Sequence, residues 1–234
     1  KPRDLTSGSL YAAKLQQTNA TTGGQFGIQW IKLGHAANSE IDALVAGGIK
    51  FSDIFEVASN TEYRANPATH AGFRPVYTYT GTGGSTALEY LKVKHGMEQA
   101  AAFLETRRFA AYLGATTEFT RMEGATSNKA DKKLYLAMSY VQQGMLAGQN
   151  GERPQDDIRL AGDPKDLECG IVYQSNLQSG QLDASGHPIR SQWVATGLQA
   201  LLMGARKPAA QTAYGRHDKC DTDKMANPDN LKYS

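Results

Sequence analysis

The sequence predicts a mainly β fold that is β-propeller-like, carries helical insertions and is incomplete in this chain. Residues 119–140 have the pattern of a hairpin, in which two short strand-like runs flank a polar turn from Ser127 to Lys133. Residues 226–234 repeat the opening of that hairpin, with acids and amides at a strand entrance. Residues 24–33 alternate large apolar side chains with small or polar ones, as a half-buried strand does. Two such strand entrances suggest a propeller-like array with metal ligands at its axis.

The first half of the chain is expected to contain further strands and a helix. Residues 11–14 are strand-like. A helix is predicted at 39–47, where Ser39 is the expected N-cap and paired glycines end the apolar pattern. Asn, Thr, Pro and Gly dominate residues 58–86 without a regular period, so this stretch is predicted to be a loop.

The second half of the chain contains the clearest helical pattern. Apolar residues recur at helical spacing over 97–113, and Gly114 is expected to end this helix. The other predicted elements are the second hairpin strand at 134–139, a polar loop at 142–156, a strand at 171–174, a turn-rich loop at 178–190 and a partly helical segment at 193–203.

Residues 1–234 are interpreted as part of one domain. The sequence contains no repeat with the period of about 40–45 residues that marks propeller blades, so a propeller would need long insertions between its blades. Residues 226–234 open a hairpin that no second strand follows. We therefore expect the missing strands to come from the rest of the polypeptide, a second fragment or a neighbouring subunit. Since Lys1 is not a methionine, we also expect a processed or truncated amino end.

Charge and composition argue against several classes of partner. The net charge is +2, and basic residues occur as scattered pairs, so no nucleic-acid partner is expected. No apolar stretch is long enough to cross a bilayer, so no membrane span is expected. The two cysteines, Cys169 and Cys220, permit one disulfide without requiring it. The absence of a C-x-x-C pair argues against a zinc ribbon or a thioredoxin-type motif.

The first candidate metal ligand is Glu123, which is followed by Gly124 at the entrance of the predicted hairpin. A carboxylate beside a residue that permits close backbone approach suits a hard or borderline cation. We expect Glu123 to point into a polar central cavity. The alternative is a surface glutamate in a tight turn.

Further candidates lie in two other polar segments. Asn227, Asp229 and Asn230 place three oxygen-bearing side chains within four residues around Pro228, a set that suits Ca²⁺ or Fe³⁺. The alternative is a simple Asn-Pro turn. Asp157, the second of two adjacent acids, is a further candidate, although such pairs are usually solvated.

Motifs of several common hydrolases are absent from the sequence. There is no G-x-S-x-G element, no P-loop and no H-E-x-x-H motif. Carboxylate-bound metals and basic groups are therefore the expected means of any catalysis, and the residues that would transfer protons or bind phosphate stay unassigned.

Eight segments, which occur in order over most of the chain, resemble the PhoX family of alkaline phosphatases. The matching segments are Ile31–His35, Phe51–Phe55, Glu105–Phe119, Met122–Gly124, Leu134–Ser139, Asp157–Leu160, Cys169–Tyr173 and Ala226–Leu231. The resemblance implies that the chain is the central segment of a longer phosphatase. Family motifs of the Asn-His-Glu and Gly-Glu-Asp types, expected before and after this segment, are not present in the sequence.

The resemblance also implies an activity, a location and cofactors. The implied activity is that of a metal-dependent phosphomonoesterase, exported by bacteria to the periplasm or the medium and acting on phosphate monoesters. Its implied site holds Fe³⁺ and Ca²⁺ on carboxylates, with one cysteine on iron that belongs to the missing upstream part. Glu123 becomes the leading candidate ligand. An exported protein occupies a compartment where disulfides persist, so the resemblance also implies a bond between Cys169 and Cys220.

Two other functions are compatible with the residues. One is a non-catalytic propeller-like surface or assembly protein that kept the scaffold, since fold does not guarantee function. The other is a sugar-lactone-type propeller hydrolase, which also uses Glu and Asn ligands around Ca²⁺. Metal analysis separates the first of these from a phosphatase, and the ordered resemblance argues against the second.

Overall fold

The computed structural model describes residues 6–79, 86–146, 158–212, 215 and 218–234. Its strands are β1 (Ser7–Asn19), β2 (Gln25–Ala37), β3 (Phe55–Ala58), β4 (Arg74–Tyr79), β5 (Thr86–Val93), β6 (Met122–Asn128), β7 (Lys133–Met138), β8 (Ile171–Gln178), β9 (Val194–Ala195) and β10 (Gly197–Met203). Its α-helices are α1 (Asn38–Ala46), α2 (Phe51–Ile54), α3 (Asn60–Ala65), α4 (Glu98–Leu104), α5 (Thr106–Tyr112) and α6 (Pro164–Leu167). The prediction of a mainly β fold is confirmed.

The strands form two sheets. In the larger sheet the strand order is β1-β2-β10-β8-β7-β6, and β9 pairs with β8. In the smaller sheet the order is β3-β5-β4. The chain divides into two compact units, one made of Lys1–Lys14 and Trp30–Thr117 and the other of Leu15–Gln29 and Glu118–Ser234. Strands β1 and β2 therefore contribute residues to both units.

The first unit packs helices on the smaller sheet. Leu91 of β5 and Val76 of β4 are fully buried, and Phe55 of β3 joins the same cluster. The alanines of α4 complete it: Ala101 and Ala102 are fully buried, and their small side chains permit close packing of the helix. Burial of these apolar groups is the main source of stability of the unit.

The second unit has its core along β7 and β8. The burial pattern of β8 alternates in its second half, while its first three residues, which end with Tyr173, are all buried. The ring of Tyr173 packs against Phe26 and Phe119, with ring centroids 5.9 and 6.2 Å away. Its hydroxyl donates a hydrogen bond of 2.6 Å to the carbonyl of Gly23, so the polar end of this buried side chain is satisfied.

The helix predicted at 39–47 is confirmed as α1, but its N-cap is Ala37 and not Ser39. The Ala37 amide donates to the Glu40 carboxylate at 2.6 Å, so a glutamate in the first turn supplies the capping acceptor. The helix predicted at 97–113 is two helices, α4 and α5, that break at Glu105 (φ −125°). The Thr106 hydroxyl donates to the Ala102 carbonyl at 2.6 Å, a contact that often bends helices.

The prediction of a partly helical segment at 193–203 is wrong. This segment forms β9 and β10, and β10 lies between β2 and β8 in the larger sheet. Residue pairs such as Leu198 with Phe26 and Gln199 with Gln174 fix its antiparallel register. A short apolar run fits a helix or a strand equally well by pattern alone, and pairing on both edges decides for the strand.

The prediction of a loop at 58–86 is also wrong. The described part of this stretch contains α3 and β4. Ser59 and Glu62 form a capping box at the start of α3, a sequence signal that the composition of the stretch obscured. Strand β4 is stabilised by its pairing with β5 over Arg74 to Tyr79. Among the helices in the described part of the chain, none is both long and apolar enough to cross a membrane.

Candidate functional site

The predicted hairpin at 119–140 is confirmed, and it positions Glu123. Met122 of β6 pairs with Met138 of β7, and pairing resumes at Ala125 with Leu136 after a shift in register. Glu123 therefore lies in an irregular part of the strand, where the ladder is interrupted and a side chain can be redirected.

Glu123 is exposed, so the expected location in a polar central cavity is wrong for the chain as described. The reason is its place in the sheet, because β6 is the last strand on one side of the strand order. One of its carboxylate oxygens, Oε1, accepts a hydrogen bond of 3.2 Å from the Ser139 hydroxyl. Ser139 was not predicted as a partner of Glu123, although it is the last residue of the strand predicted at 134–139 to pair with the Glu123 segment.

The final residues of the chain lie beside β6. The Gly124 amide donates to the Asp229 carbonyl at 2.7 Å, and the Tyr233 amide donates to the Thr126 hydroxyl at 3.1 Å. Residues 226–234 form no strand; they follow the sheet edge through these contacts. The two segments singled out in the sequence, around Glu123 and around Asn227, are thus neighbours.

Gly124 permits this close approach. A Cβ atom at this position would lie 2.8 Å from the Asp229 carbonyl oxygen and 2.8 Å from the Leu231 nitrogen. Both atoms belong to the backbone, so neither can move aside as a side chain could. Gly124 is therefore required by the close packing of residues 229–231 against it.

Asn227 has a structural role at the turn that precedes this contact. It adopts the left-handed region (φ 44°), which asparagine tolerates better than most residues. Its side-chain Nδ2 donates to the carbonyls of Ser139 and Glu168, both at 2.9 Å. Its own amide donates to the Cys169 carbonyl at 2.9 Å. The Oδ1 atom is the part of this side chain with the chemistry to bind a cation.

Of the other candidate ligands, Asp229 and Asn230 lie in the described part of the chain and Asp157 does not. The side chains of Asp229 and Asn230 are exposed. Asp157 lies outside the described residues. Oxygen donors from Glu123, Asp229 and the two asparagines suit a hard cation such as Ca²⁺. Within the described ranges, however, no group of three or more His, Cys, Asp or Glu side chains is placed to hold a metal ion.

The predicted disulfide between Cys169 and Cys220 is present, with Cα atoms 5.7 Å apart. Cys169 is fully buried and follows α6, while Cys220 is partly exposed in the long polar segment after β10. The bond therefore joins the turn before β8 to the segment that leads to Asn227.

Comparisons with protein-family models, with curated proteins and with solved structures found no match for this chain.

Proposed function

We propose that this chain is part of a metal-dependent phosphomonoesterase of the PhoX type, exported by a bacterium to the periplasm or the medium. The observation that carries the proposal is the hydrogen bond of 2.7 Å between the Gly124 amide and the Asp229 carbonyl. It brings together two acid- and amide-bearing segments that are far apart in sequence. Such convergence is what a site built from both segments requires.

The candidate ligands would supply two kinds of oxygen donor to the metal ions. Glu123 and Asp229 would contribute carboxylates, and Asn227 and Asn230 would contribute amide oxygens, with Asp157 as a further donor. Bound Fe³⁺ and Ca²⁺ would neutralise phosphate charge and lower the pKa of a bound water. The Ser139 hydroxyl donates to Glu123 and so orients that carboxylate.

Two further features support the proposal. The disulfide agrees with an oxidising compartment outside the cytoplasm. The exposure of Glu123 leaves its carboxylate accessible to a metal ion and to a substrate. The larger sheet has six strands in its main order, whereas a propeller blade has about four. The propeller arrangement is therefore part of what we propose and not an observed feature of the sheet.

The test is the substitution Glu123→Gln in the purified protein. We expect iron and calcium content, measured by mass spectrometry, and hydrolysis of p-nitrophenyl phosphate to fall together by at least about tenfold, because a neutral amide is a poorer ligand. The matched control is Asp42→Asn, an exposed acid on α1 in the other compact unit. Unchanged metal content and turnover in Glu123→Gln would contradict the assignment.

A non-catalytic surface or assembly protein is the second candidate. Two observations favour it: Glu123 is exposed, and Asn227 uses its side-chain nitrogen to hold backbone carbonyls. In that case these residues stabilise a turn and an edge. Purified protein without iron, calcium or phosphatase activity would support this alternative over the phosphatase.

A further inference from the structure

Four segments of the chain meet around Cys169. The Asn227 amide donates to the Cys169 carbonyl, and the Gly204 amide donates to the Gly170 carbonyl, both at 2.9 Å. A Cβ atom at Gly204 would overlap Cys169, and one at Gly170 would lie 2.6 Å from Cδ of Pro228. The ends of β7 and β10, the turn before β8 and the final segment are thus packed without space between them.

The disulfide is the covalent attachment of the segment after β10 to this junction. The same segment is also held by hydrogen bonds, from the Arg206 amide to the Asp166 carboxylate at 2.9 Å and from Asn227 as described above, and by exposed or partly exposed ion pairs. Arg206 lies 2.9 Å from the Asp163 carboxylate, and Lys219 lies 4.0 Å from the carboxylate of Glu168. Exposed ion pairs stabilise little, because solvent screens them and long side chains lose entropy. Cys220 lies seven residues before Asn227, so the disulfide places a covalent constraint close to the final segment.

We propose that the Cys169–Cys220 disulfide is a redox-operated clamp that holds residues 225–231 against the sheet edge at Gly124. Opening the bond frees Cys220 and the segment that follows it. The Asn227 hydrogen bonds then lack their covalent support, and the Asp229 carbonyl leaves the Gly124 amide. The clamp sets the position of the candidate site, and it would operate whether or not that site hydrolyses phosphate.

The chemistry of opening is thiol–disulfide exchange with a dithiol. Cys169 is fully buried, so the thiolate of the reductant attacks Sγ of the partly exposed Cys220. A mixed disulfide forms on Cys220, and Cys169 leaves as a thiolate that takes up a proton. The second thiol of the reductant then displaces Cys220. The dithiol is oxidised to a cyclic disulfide, and the protein gains two thiols.

Hydrogen exchange measured by mass spectrometry tests the clamp without any need for activity. With dithiothreitol, we expect amides in peptides covering 122–126 and 225–231 to exchange roughly tenfold faster, because local opening is made easier. Peptides covering β5, in the other compact unit, should keep their rates. Oxidised glutathione should restore the original protection.

Two outcomes would overturn the proposal. Unchanged exchange at 225–231 after complete reduction would mean that non-covalent contacts suffice to hold the segment. Faster exchange in β5 as well would mean that the disulfide stabilises the whole chain and is not a local clamp. The double variant Cys169→Ala with Cys220→Ala is the matched control, since it should exchange like the reduced protein and ignore dithiothreitol.

Discussion

A single glycine decides how closely the final segment approaches β6. Gly124→Ala would place a methyl group 2.8 Å from two backbone atoms of residues 229 and 231. We expect the free energy of unfolding to fall by roughly 1–3 kcal/mol, the usual cost of forcing atoms into filled space. Urea denaturation followed by circular dichroism measures this change.

Gly8→Ala is the matched control for that prediction. Gly8 is also a strand glycine; it is exposed, whereas Gly124 is partly buried, and a Cβ atom there would have no neighbour within 4 Å. Its stability should therefore equal or slightly exceed that of the unmodified protein. If Gly124→Ala and Gly8→Ala were equally stable, the packing of residues 229–231 against Gly124 would not be close enough to exclude a methyl group.

At the scale of single elements, α3 depends on one capping box. The Glu62 amide donates to the Ser59 hydroxyl at 3.1 Å, and the Ser59 amide donates to the Glu62 carboxylate at 2.7 Å. The hydrogen bonds from the Ser59 side chain and backbone lower the pKa of Glu62 below its ordinary value. The stabilisation that this carboxylate gives to α3 is therefore present above the unfolded pKa and is lost as the pH falls through the folded pKa.

Hydrogen exchange of residues 60–65 between pH 6 and pH 3 checks this dependence. We expect protection of α3, corrected for intrinsic rates, to decrease in the acidic range. Ser59→Ala should lower protection at every pH, because the cap is lost, and should weaken the pH dependence. Glu62→Gln is the comparison that removes the charge and keeps the shape. If its protection fell with pH as much as that of the unmodified protein, another group would be responsible.

The elements that sequence reasoning predicted correctly are those whose signals are local. Helix α1 and the β6–β7 hairpin carry apolar periodicity, caps and turn residues within their own segments. Strand β10 was missed because its neighbours β2 and β8 decide its conformation, and those neighbours are distant in sequence. At the candidate site, Glu123 and Asn227 could be chosen by residue type. Their proximity and the exposure of Glu123 depend on tertiary structure.

At the scale of the whole molecule, Tyr173 joins β8 to the turn between β1 and β2. Its hydroxyl donates to the carbonyl of Gly23, 150 residues away in sequence. Tyr173→Phe removes the donor and leaves a carbonyl without this partner, so we expect roughly 1–3 kcal/mol less stability in urea denaturation. Tyr233→Phe, at a half-exposed tyrosine near the chain end, is the control and should change little.

Burial also raises the pKa of Tyr173 above its ordinary value. Because the charged form is disfavoured in the folded state, its contribution is fully present below the unfolded pKa of about 10 and is lost as the pH rises through the folded pKa. The unmodified protein should thus lose stability more steeply above that pH than Tyr173→Phe does. Parallel losses in the two proteins would contradict this role.

The pairing of β2 with β10 has a consequence for the order in which the protein folds. Gly27 lies opposite Gly197, so the centre of the larger sheet joins strands that are distant in sequence. During ribosomal synthesis, the β1–β2 hairpin emerges long before its partner strand β10 has been made. Closing so long a loop is entropically costly, and such topologies fold slowly. The inner edge of β2 is therefore open to chaperones or to misplaced strands until β10 has been made.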